Sequence, residues 1–367
     1  MRVESIHPKD LSDSDVAAWR SFLAADPELS SPYLTPDWAR LVAHHRGDVR
    51  VAVYRDVAGE PLGFLPVQRC GAYAAMPAGG PICDYQALVA KPGAMLDLAL
   101  APKALGVGRI DLTAGLVNNA VGRRLLTSDA GHVVRFAGGY EAWCAERLAA
   151  GTKTIVKTRK KLAKMTRDLG GEVVFNAVST DADAFETLMT WKREQMRRTG
   201  VRDIFRHAWI DGIVRGSFAA LADEKNFGGA LFVLRVKGQP AAVLFCLRAR
   251  QALHAWYVAH DNQWAQYSPG LIVFIEAIRA AADAGYTELD LGPGDYQFKE
   301  SLANASRPVG AGFIAGRGLS PAIKAAQFQV RSLVESLPVG GVRHWPAKAM
   351  RRLDIARGLA APAGRVA

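Results

Sequence analysis

The chain has 367 residues, of which half are apolar and 22% are charged, and its 46 basic and 35 acidic residues give a formal net charge of +11. This length favours two domains, and the balance of residues excludes a largely disordered chain. Four scattered cysteines without CxxC spacing argue against a zinc site or a disulfide framework. No apolar run is long enough to span a membrane and the N-terminus has no secretory signal, so we expect a cytoplasmic protein.

The N-terminal half predicts two helices followed by a hairpin. Asp13 or Ser14 is expected to cap the helix DSDVAAWRSFLAAD, and Thr35 with Pro36 begins the helix TPDWARLVAHH. The segment VAVYRDVAGEPLGFLPVQR then predicts two strands joined by a G-x-P turn.

This hairpin recurs in the second half of the chain. Residues 51–69 align without gaps with residues 230–248 at an offset of 179, and the same offset places GVGRIDL on GYTELDL. Two matches at one offset indicate a duplication. We therefore predict two similar α/β (α+β) domains, 1–140 and 145–320, each a mixed twisted sheet flanked by helices, and a basic helical tail, 321–367. The first copy has no clear long helix after its turn, which favours the second copy as the active one.

A basic helix opens the second half. The segment TKTIVKTRKKLAKMTR carries seven basic residues and no acidic one, largely along one helical stripe. Three interpretations stay open: a surface for acceptor phosphates, a solvated or membrane-facing surface, and contact with tRNA. Sequence-specific nucleic-acid binding is not expected, because no DNA- or RNA-reading motif is present.

The stretch WYVAHDNQWAQYSPGLIVFIEAIRAA predicts a strand, a turn and a helix. Ser268 is expected to cap the helix and Pro269 to take its first position. A helix N-terminus with free N–H groups binds anions such as phosphate. The alternative interpretation is that Ser-Pro-Gly only initiates the helix and binds no ligand. The strand YTELDLG ends in GPGDYQFKESL, with Gly292 shared by both segments, and ligands gather at such strand ends in α/β sheets.

These motifs together resemble the GNAT acyltransferases in their tandem form, the CelD/BcsL-like and Fem-type transferases of bacterial exopolysaccharide and cell-wall synthesis. The resemblance rests on YSPG at 267–270, on DLGPGDYQFK at 290–299, on the basic helix and on PYLTPDWA near the N-terminus. It implies an N-acyltransferase that uses acetyl-CoA to modify an amino sugar or a lipid- or nucleotide-linked sugar. Because YSPG departs from the Q/R-x-x-G-x-G/A loop of GNAT proteins, two alternatives stay open: a Fem-type aminoacyl transferase, and a degenerate GNAT scaffold that regulates polysaccharide machinery through nucleotide or membrane binding.

The resemblance also assigns site residues. The candidates for the catalytic base are Asp295 and Asp261, with His260 as an alternative, and those for the acid are Tyr296 and Tyr267. The expected acetyl-CoA site comprises Tyr267, Ser268, Pro269, Gly270 and Leu271. The expected site for a phosphate-bearing sugar acceptor comprises Lys299, Arg159, Lys160 and Trp191. No metal is expected, and the absence of GxSxG and GxxxxGK[ST] argues against a serine hydrolase and a P-loop NTPase.

The basic tail forms a separate candidate site. Its side chains suit the phosphates and purine rings of cyclic di-GMP, and the residues concerned are Arg343, Trp345, Arg351, Arg352 and Arg357. An amphipathic helix on a membrane surface is the alternative, which allows peripheral contact with the inner membrane or with polysaccharide synthesis proteins.

Overall fold

The computed structural model describes residues 1–220, 227–335 and 345–360. One continuous mixed sheet of 13 strands, flanked by helices, forms the body of the molecule. The strands are β1 (Arg2–Ile6), β2 (Val49–Arg55), β3 (Pro61–Arg69), β4 (Ala74–Pro77), β5 (Val89–Ala90), β6 (Arg109–Leu116), β7 (Asp129–Arg135), β8 (Val173–Asn176), β9 (Phe227–Val236), β10 (Gln239–Ala249), β11 (Ala252–His260), β12 (Glu288–Pro293) and β13 (Ala305–Ala315). The α-helices are α1 (Asp13–Ala25), α2 (Pro36–His45), α3 (Leu100–Ala104), α4 (Gly139–Ala149), α5 (Thr154–Asp168), α6 (Ala182–Arg198), α7 (Ala208–Ala219), α8 (Pro269–Asp283), α9 (Gln297–Leu302), α10 (Leu319–Glu335) and α11 (Trp345–Leu359). The predicted α/β class is confirmed.

Local sequence signals explain most helix boundaries. Thr35 caps α2 by accepting a hydrogen bond from the backbone of Trp38, as predicted. The predicted cap of α1 is wrong, because Ser12 holds that position and forms a reciprocal capping box with Asp15. Gly285, with φ of 81°, follows the end of α8, as the sequence predicted.

The repeat is visible in the order of the strands. The predicted hairpins are β2–β3 and β9–β10, and both are antiparallel. The segments GVGRIDL and GYTELDL contribute to β6 and β12, which pair in parallel with β4 and β11 respectively. The sheet order is β1-β2-β3-β4-β6-β13-β7-β12-β11-β10-β9-β8, with β5 off this path and paired with β3, so the outer strands of the two halves mirror each other.

The two halves exchange strands at the centre of the sheet. Strand β13, which comes late in the chain, lies between β6 and β7, and both pairings are antiparallel. Strand β7 in turn pairs with β12 of the second half. The limits 1–140 and 145–320 stay a prediction about sequence segments, since each segment supplies a strand that lies among those of the other.

The end of the tail is docked against the N-terminal half. Arg46 donates hydrogen bonds to the carbonyl oxygens of Gly358 and Ala360, each at 3.0 Å. Leu359 is buried in the core, and Lys324 of α10 pairs with Asp354 of α11 at 2.9 Å. Within the described residues, no helix is long and apolar enough to cross a membrane.

The residues of the predicted tail site are only partly visible. Arg343 lies outside the described residues, and Trp345 is described only as the first residue of α11. Arg351 and Arg352 are exposed on α11, whereas Arg357 is half-buried. The nucleotide site at the tail therefore stays a prediction.

Candidate active site at the end of strand β11

Strands β11 and β12 diverge after three paired residues. Their parallel pairing runs from Ala252 with Glu288 to His254 with Asp290, while β11 continues to His260 and β12 to Pro293. On its other side, β11 stays paired with β10. Beyond His254, no strand of the described residues pairs with this edge of β11, which therefore faces a cleft that opens toward the strand ends.

A β-bulge lies just beyond the point where the two strands separate. Phe245 of β10 pairs with Tyr257, and the next residue, Cys246, pairs with Ala255, so Trp256 is the extra residue on β11. A bulge leaves its residue outside the regular ladder and bends the strand. It is thus a source of unpaired backbone groups next to the cleft.

The turn before α8 leaves the helix N-terminus uncapped. Ser268 adopts a left-handed conformation, with φ of 56° and ψ of 55°, and its side chain makes no cap bond. The prediction that Ser268 caps the helix is wrong, because its hydroxyl instead accepts a hydrogen bond from Lys161 Nζ at 2.6 Å. Pro269 takes the first helical position, as predicted. Among the described residues, no acceptor for the backbone N–H of Gly270 is found.

A cavity of about 520 Å³ opens at this helix end. It brings together several residues that the sequence assigned to the site, namely Trp191, His260, Asp261, Ser268, Gly270 and Leu271. Its other walls come from α6, from β11 and from the aromatic rings of Phe274 and Phe298. An aromatic and apolar cavity with a few converging polar groups is the usual form of a small-molecule site.

His260 faces the first turn of α8. A side-chain carbon placed on Gly270 would lie 3.4 Å from His260 Nδ1, so the two residues share one wall of the cavity. Desolvation at this wall lowers the pKa of His260, the nearby charge of Arg198 lowers it further, and Asp261 raises it. The imidazole is consequently neutral at pH 7.

The other predicted acid–base residues have different surroundings. Asp261 accepts hydrogen bonds from the backbone and side-chain nitrogens of Gln263, at 2.9 and 2.5 Å. Tyr267 turns away from the cavity, and its hydroxyl donates to Asp168 Oδ2 at 3.1 Å. Asp295 and Tyr296 are exposed and do not line the cavity.

Lys299 is occupied at the end of β12. Its Nζ donates to the carbonyl oxygens of Gly292 and Pro293, at 3.3 and 2.9 Å. Burial lowers the pKa of Lys299, while the carboxylates of Asp84 and Asp290 raise it. Lys299 therefore stabilises the backbone at the end of β12, and it also places a positive charge near the cleft.

The basic helix α5 packs along the turn. Lys161 contacts Ser268, and Lys164 Nζ lies 6.0 Å from the centre of the Tyr267 ring. Lys160 is exposed on the same helix, whereas Arg159 points to α4, with its guanidinium 5.4 Å from the centre of the Tyr140 ring. The structure thus separates Arg159 from the other residues that the sequence grouped with it.

Sequence reasoning missed a cluster of titratable side chains beside the cleft, which joins buried residues to the partly exposed Asp84. His254 is fully buried, with Nε2 2.9 Å from Asp84 Oδ2, and Tyr85 donates to Asp290 at 2.8 Å. Asp84 and His254 lie 170 residues apart in the chain, so no local spacing could have joined them. Within the described residues, no group of His, Cys, Asp and Glu side chains could hold a metal ion.

Comparisons with known proteins agree with this architecture. Residues 152–300 match a family model described as an acetyltransferase (GNAT) domain. This segment therefore carries a GNAT acyltransferase domain. The match confirms the predicted acyltransferase and falls on the copy that contains the cavity.

Solved structures share the fold over most of the chain. The C-terminal domain of a candidate lysylphosphatidylglycerol synthetase from Agrobacterium fabrum superposes with a TM-score of 0.53 at 13% identity, covering 85% of this chain and 95% of that one. FemX gives 0.53 at 11% identity, covering 85% and 97%. A tandem GNAT protein from the clavulanic acid biosynthesis pathway gives 0.50 at 10% identity, covering 86% and 98%. No curated protein matches the sequence.

Proposed function

We propose that the chain is an N-acyltransferase that takes its acyl group from acetyl-CoA and transfers it to an amino sugar, lipid- or nucleotide-linked, in bacterial exopolysaccharide or cell-envelope synthesis. One observation carries the proposal: the uncapped N-terminus of α8 opens into a cavity at the end of two diverging strands. The CelD/BcsL-like resemblance of YSPG and DLGPGDYQFK supports the pathway.

The residues around the turn fit an acyl-CoA. The free N–H of Gly270, the positive end of α8 and the ammonium of Lys161 suit its diphosphate. The cleft beside β11 suits an extended arm that bears amide groups, because no strand in the described part of the chain pairs with this edge beyond His254. When bound, acetyl-CoA supplies an acetyl group activated as a thioester. Unpaired backbone donors at the Trp256 bulge would stabilise negative charge on the acyl oxygen.

The wall formed by α6 suits a phosphate-bearing sugar acceptor. Trp191 presents an aromatic surface on which the nucleotide or lipid carrier of the acceptor packs, and Arg198 supplies a positive charge for its phosphates in the same cavity. A guanidinium pairs with phosphate oxygens through two parallel hydrogen bonds.

An aminoacyl-tRNA donor is the second candidate. The turn contains one glycine, and α5 carries more basic residues than a diphosphate requires, including the exposed Lys157, Lys160 and Lys164. FemX has the same fold, although at 11% identity the likeness concerns the fold alone. A protein that binds acylated tRNA and no acyl-CoA would favour this candidate over the first.

Substitution of Gly270 tests the donor site. Gly270→Asp places a carboxylate where the diphosphate would bind, and the substituted side chain has room because its first carbon meets only His260 at 3.4 Å. An acidic residue in the first turn stabilises a helix, so the variant should fold normally. We expect acetyl-CoA to raise the melting temperature of the wild-type protein and of Gly270→Ala, and not that of Gly270→Asp. A wild-type protein whose melting temperature no acyl-CoA raises would refute the acetyl-CoA proposal and favour aminoacyl-tRNA or a regulatory scaffold.

A further inference from the structure

The cleft between β11 and β12 has two chemically different ends. At one end lie His260, Gly270 and Lys161, which suit an anion. At the other end lies His254, where the pairing of the two strands stops. At about 3.3 Å per residue, the strand from His254 to His260 spans roughly 20 Å. A donor whose diphosphate occupies the first end therefore brings its acyl group toward the second.

The second end carries a carboxylate from the other half of the molecule. Asp84 Oδ2 lies 2.9 Å from His254 Nε2, and the side chain of Asp84 is 39% exposed although that of His254 is fully buried. A side-chain carbon at Gly292 would lie 3.3 Å from the same carboxylate oxygen. Asp84 thus contacts β11 and approaches β12 just where the two strands separate, and it remains open to solvent.

The surroundings of His254 fix the orientation of Asp84. An ionised carboxylate only accepts hydrogen bonds, so Nε2 of His254 carries the hydrogen that joins the two side chains. The other ring nitrogen, Nδ1, lies 3.6 Å from Asp290 Oδ1, and Asp290 is held by Arg307 and Tyr85. The ring of Tyr33 packs edge-on against the imidazole at 5.0 Å. His254 is therefore a rigid, buried support for an accessible carboxylate.

We propose that Asp84 is the catalytic base that takes a proton from the ammonium group of the acceptor, and that His254 is the positioning residue that holds its carboxylate. This inference rests on the proposed N-acyltransferase function. Asp84 accepts one proton, and the neutral nitrogen forms a bond to the acyl carbon. The carbon–sulfur bond breaks with its electron pair on sulfur, the second proton of the nitrogen passes to the thiolate, and Asp84 returns its proton to solvent.

The assignment explains why a second half is present beside the GNAT domain. The matched segment, residues 152–300, contributes the turn, the cavity and His254, whereas Asp84 comes from the N-terminal half. The two carboxylates and the histidine favoured by the sequence are less suited to the acyl end. Asp261 is bound by Gln263, Asp295 lies outside the cavity, and His260 lies at the anion end.

Acetylation kinetics of Asp84 variants test the proposal. We would measure thiol release from acetyl-CoA with glucosamine 6-phosphate, UDP-linked amino sugars and hydroxylamine, which is largely unprotonated at pH 7. For Asp84→Asn we expect a loss of about 10²- to 10⁴-fold with the amino sugars and a much smaller loss with hydroxylamine. The activity of this variant should keep rising with pH as the acceptor amine loses its own proton. The titratable groups that face Asp84 or its partner His254 are the same in the wild-type protein and in the variant, so a difference between their pH profiles reports on Asp84 itself. These groups are His254, Asp290, Lys299, Tyr33, Tyr85 and Tyr257.

His254 variants separate positioning from folding. We expect His254→Gln, whose amide still donates to Asp84, to keep more activity than His254→Leu. His254→Leu should lower kcat with little change in the KM for acetyl-CoA. Asp10→Asn, which removes an exposed carboxylate in the N-terminal half, serves as the control and should match the wild-type protein.

The outcomes distinguish the inference from the function on which it rests. If acetyl-CoA fails to raise the melting temperature of the wild-type protein, the proposed function fails. If acetyl-CoA binds wild-type and Asp84→Asn proteins equally and no Asp84-dependent turnover is found with any of these amines, the inference is overturned. Loss of folding or of acetyl-CoA binding in Asp84→Asn would also overturn it, because Asp84 would then be structural.

Discussion

At the scale of single residues, the proposed donor site predicts that the protonation of His260 affects the affinity for acetyl-CoA. Desolvation and Arg198 lower its pKa below the ordinary value of 6.5, so it is neutral in the free protein at pH 7.5. A bound phosphate favours the imidazolium and raises that pKa. Affinity for acetyl-CoA should therefore increase as the pH falls through the interval between the two values, by about three- to fivefold for a partly exposed pair.

The variant His260→Gln isolates this effect from titration of the ligand itself. We expect the ratio of wild-type to variant affinity, measured by calorimetry between pH 7.5 and 5.5, to grow as the pH falls. A ratio that stays constant across this range would show that His260 does not contact the anion.

Residues close together in the sequence were predictable, and residues that meet only through the fold were not. Thr35 and Pro269 carry their own signals, since capping and helix initiation depend on a few neighbouring residues. Ser268 shows the limit of such reasoning, because the distant Lys161 takes its hydroxyl. The contact between Asp84 and His254 has no local signature at all, and only the arrangement of the two halves creates it.

At the scale of elements, the two copies differ in the helix that follows the turn. The second copy has α8, of 15 residues, whereas the corresponding part of the first copy has only α3, of five residues. The sequence predicted this difference, because KPGAMLDLALAPKAL is interrupted by prolines. Without a long helix there is no strong dipole at its N-terminus, which explains why the proposed anion site lies in the second copy.

The tail helix α11 gives a prediction about nucleotide binding. Ile355 packs against the core and Leu359 is buried within it, so part of the apolar side that would contact a membrane is already used. Arg351 and Arg352 remain exposed and accessible to phosphates. If the tail binds cyclic di-GMP, calorimetry should show binding heat for the wild-type protein and little for the double variant Arg351→Ala/Arg352→Ala.

The same double variant provides its own check on folding. Both side chains are exposed, so the melting temperature should stay within a degree or two of the wild-type value. Equal heat for the two proteins would place any nucleotide site elsewhere, and no heat for either would exclude cyclic di-GMP as a ligand of this chain.

At the scale of the whole molecule, the sequence predicted two similar halves but not how they are joined. The repeat fixed the matching hairpins, which depend on local turns and strand patterns. The exchange of β7 and β13 depends on pairing between strands about 170 residues apart, and no alternation of apolar residues specifies a partner at that distance. The exchange also buries Arg307 of β13 against Glu288 and Asp290, which are adjacent to the cleft.

Strand exchange makes a specific prediction for divided protein. Separate expression of residues 1–137 and 138–367, divided between β7 and α4, should give two fragments that do not fold alone, because each would leave a central sheet edge unpaired and bury charges without their partners. Co-expression should restore a complex that melts in one transition and that acetyl-CoA stabilises, since β7 can then pair with both β12 and β13. Circular dichroism and thermal melting of each fragment and of the mixture would check this. A fragment 138–367 that unfolds cooperatively on its own at the melting temperature of the full chain would contradict it, and would mean that the second half is independent of the strand and the carboxylate that the first half contributes.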